Sequence, residues 1–232
     1  MIKSQSGQLA QRGFVEAGAE GGFAHLSETQ RLAMLKSALP TERTIAARLL
    51  RSAAQEQCAV TGLVNALRIE KKLYPKIEIC DALVSFGELA VEPLTGLLGQ
   101  IGHNQHARIP EKGFRKQGYP LPRDITARTL IRIGTPALPA LFDVLRSDNL
   151  SALSEAIDAI GHICFYTHRP GVLPLLKECF EKHDDQTLIK WKIVRAMSAF
   201  PQSHGFLQEV LKNGEEELKP EAKRSLQLIS TS

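Results

Sequence analysis

Apolar residues recur at helical spacing in five stretches of this 232-residue chain, and each stretch divides into two parts. The first part places small or apolar residues at i, i+3, i+4 and i+7: Ala46, Leu49, Leu50 and Ala53, then Ile79, Ala82, Leu83 and Phe86, then Thr126, Thr129, Leu130 and Ile133. Leu153, Ala156, Ile157 and Ile160 repeat the spacing, as do Ile193, Ala196, Met197 and Phe200. Residues so placed share one face of a helix. The second part uses i, i+1, i+4, i+7 and i+8, as in Ala59, Val60, Leu63, Ala66 and Leu67, or Ala137, Leu138, Leu141, Val144 and Leu145; the fifth copy, Phe206, Leu207 and Val210, is cut short. The expected fold is all-α: an α-solenoid of about five helix pairs, each pair burying its face against the next.

Turn chemistry fits that reading. Gly87, Gly134 and Gly161 each follow the last apolar residue of a first helix, where a left-handed residue can end it. Pro139 and Pro174 occupy one equivalent position in the opening turn of a second helix, with Pro93 one residue later. Ser27 and Gln30 form a capping box ahead of a helix expected over Glu28 to Leu39, and Pro40-Thr41 stops that helix and starts the next. Residues 1–26 are glycine-rich and aperiodic, so they read as a flexible lead to a single repeat domain over 27–232.

Segments such as ARTLIRIGTPALPALFDVL and CDALVSFGELAVEPLTGLL resemble HEAT repeats, in the short HEAT-like form also found in phycobilisome lyases, and the resemblance spans residues 41–230. It implies an armadillo-like superhelix whose second helices line a concave surface. It does not choose a function, because proteins of this class include adaptors, transport factors, lyases, hydroxylases and DNA glycosylases. The hydroxylases bind iron through His-Glu dyads, and no His precedes Glu here. The glycosylases need several aromatic residues in a groove, against one tryptophan, Trp191.

Charge adds two features. At i+2 of the first helices stand Arg48, Asp81, Arg128, Glu155 and Arg195, alternating in sign, which suggests a ladder of ion pairs fixing the stacking register. The five pattern starts are also unevenly spaced, and the longest interval contains residues 99–124, which have no helical period. That loop carries His103, His106, Arg108, Lys112, Arg115, Lys116 and Arg123 among the aromatics Phe114 and Tyr119, a set able to meet an acidic surface or a phosphate and base. A second segment, His162 to Gly171, adds the basic tip His168-Arg169. On the expected concave face Phe142 is a candidate anchor.

The remaining composition narrows the classes. A net charge of +4 is too small to argue for nucleic acid by itself. No window matches a membrane span or a secretory signal, and Cys58, Cys80, Cys164 and Cys179 lack metal or redox spacing, so free buried thiols in the cytoplasm are expected. No metal, cofactor or catalytic residue is expected, His162, Cys164 and His168 being too few for zinc. The expectation is a non-enzymatic scaffold that binds a protein through its concave face and basic loop. The alternatives are nucleic-acid binding through the same loop, or a lyase-like small-molecule enzyme.

Overall fold

A computed structural model describes residues 5–111, 114 and 117–231, and among them the chain is all-helical with no strand. Thirteen α-helices follow one another among the described residues. They are α1 (Gln5–Gln11), α2 (Glu28–Met34), α3 (Pro40–Leu50), α4 (Glu56–Ile69), α5 (Leu73–Ser85), α6 (Val91–Thr95) and α7 (Ile125–Ile133). Then come α8 (Leu138–Leu145), α9 (Leu150–Thr167), α10 (Leu173–Lys182), α11 (Thr187–Ala196), α12 (His204–Asn213) and α13 (Lys219–Thr231). Their contacts form two compact units, Met1–Leu94 and Thr95–Ser232, where the repeat pattern alone suggests one domain. The division falls in α6, which is only five residues long and leads into the loop.

The periodic residues form the cores. In the first unit Ala46, Leu50, Val60, Leu63, Ile79 and Leu83 are buried where α3 packs on α5 and α4 packs on α5. In the second, Leu130, Leu141, Ile157, Ile160, Ile193 and Met197 are buried as α9 receives α7, α8 and α11. The capping box is present: Ser27 Oγ accepts the Gln30 N–H, and Gln30 Oε1 accepts the Ser27 N–H. The helix it starts ends at Met34, earlier than the pattern suggests, and Pro40 occupies the first turn of α3, where its missing N–H costs nothing. Pro139 and Pro174 sit likewise in α8 and α10.

Three expectations need correcting. Described residues of the glycine-rich lead are packed on α3: Thr44 Oγ1 donates to the Gly13 carbonyl at 2.7 Å, and Arg48 donates to the Glu16 and Val15 carbonyls at 2.9 and 3.0 Å. Lead backbone thus supplies acceptors to polar side chains of α3, which composition could not show. Gly134 ends its helix at a positive φ of 85°, as expected, but Gly161 lies inside α9, which runs on to Thr167. The residue that ends α9 is His168, held left-handed at φ 52° with its N–H on the Cys164 carbonyl. Finally, α13 is a helix that the degraded fifth pattern gave no reason to expect; it packs on α11 and α12.

Candidate functional site

Asp124 closes the base of the long loop in the second unit. Fully buried, it caps α7 by accepting the Ala127 N–H at 2.8 Å, while its other oxygen accepts from Gln105 Nε2 at 2.8 Å and from the Gly99 N–H at 3.3 Å. One carboxylate therefore holds both ends and the interior of the loop, so the segment is built rather than draped.

The loop's aromatic residues point into the protein. His106 and Phe114 meet Trp191 of α11, with ring centroids 5.6 and 6.3 Å away, and the Arg195 guanidinium lies 3.9 Å from the Trp191 centroid and 4.6 Å from that of Phe114. Tyr119 is buried against Phe165 and His162 of α9. Gly161 makes that possible: a Cβ there would stand 2.0 Å from the tyrosine hydroxyl. The Gly118 carbonyl accepts from Arg224 of α13 at 2.8 Å.

Beneath these rings lies a buried charge network. Lys192 Nζ reaches Glu155 at 2.8 Å and Asp158 at 2.9 Å and donates to the Ser154 carbonyl; Arg195 reaches Asp158 at 3.4 Å and Glu221 at 3.8 Å; Arg224 reaches Glu221 at 2.8 Å. Three cations oppose three carboxylates, and all six side chains are buried. Burial pushes the Glu155 carboxyl up despite Lys192. It pushes Asp158 the same way, but Lys192 and Arg195 together more than offset it and hold that carboxyl below its ordinary value. His106, with desolvation and the nearby Arg195 cation both opposing its charge, is lowered to about 4, and burial raises the Tyr119 hydroxyl well above its ordinary value. These groups hold one another in place.

The sequence-derived binding residues therefore separate. His106, Phe114 and Tyr119 come together as loop anchors on α9 and α11, whereas His103, Arg108 and Arg123 are exposed. Lys112, Arg115 and Lys116 lie outside the described residues. His168 and Arg169 stand exposed at the end of α9, and Phe142 is half-buried on α8. The sign ladder is displaced. Arg48 pairs with Glu78 and Glu20, while Arg51, not one of the five ladder residues, pairs with Glu78 and Asp81. Lys192 takes Glu155, leaving Arg195 to Asp158, one turn along, and Arg128 donates to the Pro122 carbonyl. Neighbouring first helices pair charges, but with an offset that the i+2 column alone does not contain.

Sequence reasoning missed a cleft in the first unit. Between α2 and α4 lies a groove of about 630 Å³, walled by Leu32 and Leu35 on one side and by Gln57, Cys58, Thr61, Asn65 and Ile69 on the other. It adjoins a hollow of about 490 Å³ bordered by Lys36, Arg43, Lys71 and Lys72. Ile69 is 70% exposed, unusual for a large apolar side chain. Gly62 lets the α2 wall approach, since a Cβ there would lie 2.5 Å from Leu32 Cδ2. The available signal was a stripe at four-residue spacing, Gln57, Thr61, Asn65 and Ile69, outside the buried template of α4. Cys58, expected buried, is exposed on this wall; Cys80, Cys164 and Cys179 are buried.

No known family's model matches the chain, and no curated protein matches it. It is similar to the crystal structure of an engineered protein from the Northeast Structural Genomics Consortium, at 17% identity over 88% of this chain and 96% of that one, with a TM-score of 0.38. A likeness that weak carries no argument here. Among the described residues no helix is long and apolar enough to cross a membrane, and no cluster of metal-binding side chains occurs.

Proposed function

We propose that the chain is a non-enzymatic HEAT-like helical-repeat scaffold that binds a protein segment in the cleft between α2 and α4. The α-solenoid reading is supported by the order of the helices and by first helices that lie side by side within each unit, α3 on α5, and α7, α9, α11 and α13 in succession. The cleft is the observation that carries the function. Its volume is in the range of binding clefts, it is mostly apolar, and convergent polar groups line one wall. The loop 99–124 enters this reading differently from the expectation drawn from sequence. Its aromatic anchors stiffen the second unit, and the exposed side chains His103, Arg108 and Arg123 form a polar surface of that unit.

Cys58 provides the test. It is the exposed thiol on the cleft wall, whereas burial pushes Cys164 up to about 12 and Cys179 up to about 11, out of reach of labelling near neutral pH. A photo-crosslinker attached at Cys58 should capture a discrete protein from lysate. The purified partner should then bind the wild type and not Asn65→Arg, which fills the middle of the groove. Capture unaffected by Asn65→Arg, or nucleic acid retained with no protein, would reject the reading.

A further inference from the structure

The cleft is not electrostatically uniform along its length. Glu28 accepts the backbone N–H groups of Ala54 and Gln55, Leu32 lies against Gly62, and Lys36 borders the same hollow as Ile69, Lys71 and Lys72. These contacts place α2 alongside α4 and running the same way. From Gln57 to Ile69 the α4 wall rises about 18 Å, or a little over three helical turns. One end is acidic, with Glu28 and the exposed Glu56; the other is basic. At the basic end Glu70 is fully engaged. Burial alone would push its carboxyl up, but the Arg43 guanidinium at 2.7 Å and the N–H groups of Lys71 and Lys72 outweigh that and hold it low. Among the described residues no carboxylate lies within ion-pair distance of Lys36, Lys71 or Lys72, and all three are exposed.

Taking the cleft as the docking site proposed above, we propose that its occupant is an amphipathic helix of a partner protein. Its apolar face covers Leu32, Leu35 and Ile69, and its carboxylates lie at the end that reaches Lys36, Lys71 and Lys72. The length of the groove fits such a helix. Gln57, Thr61 and Asn65, one turn apart along the open wall, offer hydrogen bonds over its whole course, which an acyl chain would leave unmet. Three unpaired lysines at one end favour acidic residues and disfavour basic ones, and they fix the direction in which the helix lies.

Two labelled synthetic helices test this by fluorescence anisotropy with the full chain. They share a leucine stripe at i, i+3, i+4 and i+7 and differ only in carrying three glutamates or three lysines at one end. The glutamate peptide should bind at least about tenfold more tightly than the lysine peptide, and more weakly as salt rises. The triple variant Lys36→Glu, Lys71→Glu, Lys72→Glu, all at exposed positions and checked for folding by circular dichroism, should reverse that preference. Asn65→Arg should abolish both signals. Equal binding of the two peptides, lost together in Asn65→Arg, overturns the acidic-end assignment and leaves the docking site standing. Binding of neither peptide, or of sodium oleate alone, overturns the docking site and the inference with it.

Discussion

The two units use the same device at different depths. In the first, Arg48 of α3 and Arg51 at its C-terminal cap face Glu78 and Asp81 of α5; in the second, Lys192 and Arg195 of α11 face Glu155 and Asp158 of α9. Each is a pair of charges three residues apart on one helix matched to a like-spaced pair on its neighbour. Side-chain exposure in the first set runs from 15% to 40%, but in the second it does not pass 3%. What covers the second set is the loop, through Phe114, His106 and Tyr119, together with α13, through Glu221 and Arg224. The same three-residue spacing of opposed charges thus has different energetic meaning, because exposed charges keep their hydration while buried ones depend on each other.

The largest effect should come from breaking the buried set. Lys192→Met leaves Glu155 and Asp158 facing each other without their shared cation, and should cost about 3–5 kcal/mol. Urea unfolding followed by hydrogen exchange should show the loss in α9, α11 and α13. Loss below about 1 kcal/mol would mean that the network is hydrated, and the contrast between the units would collapse. Next comes Gly161→Ala, which forces Tyr119 off α9 and should cost about 1–3 kcal/mol, with faster exchange in the loop.

Acid should separate the units by pH. His106 is lowered to about 4 in the fold from an ordinary value of 6.5, so protons bind the unfolded chain more readily and stability falls as pH drops through that window. Glu70 in the first unit is held below 4.5, so its contribution is complete above that value and declines only as pH falls through its lowered folded value. Once exchange is corrected for its intrinsic pH dependence, protection near the loop should therefore fall between pH 6.5 and 4.5, before that of α3 and α4. His106→Gln should remove the early phase, and persistence of that phase in the variant would count against the assignment.

What was legible in the sequence follows from what is local. The heptad-like spacing around Leu153 or Ile193 reports a buried face because helix period and burial are both read along one element, and Ser27 caps α2 through a residue three positions away. Gly161 shows the limit. A glycine after an apolar residue ends helices often enough to be read as a stop, yet its reason here is Tyr119, forty-two residues earlier in the chain. The charge offset was hidden for the same reason, because pairing Arg51 with Asp81 requires the relative slide of α3 and α5. Basic loop residues drew attention as chemistry, while the cleft drew none, since its outline depends on how α2 lies against α4.

The smallest effect sharpens the comparison most directly. Arg51→Ala removes one exposed cation, 40% accessible, from Glu78 and Asp81, while Arg48 remains on Glu78. Water and the second arginine compensate, so the expected loss is ~0.2–1 kcal/mol and should shrink further in high salt. Lys192→Met in the same salt series should be nearly insensitive, because ions cannot enter the buried network. Parallel salt curves for the two variants would show that depth does not set the behaviour of these charges; diverging curves would show that one pattern serves as surface trim in the first unit and as a core element in the second.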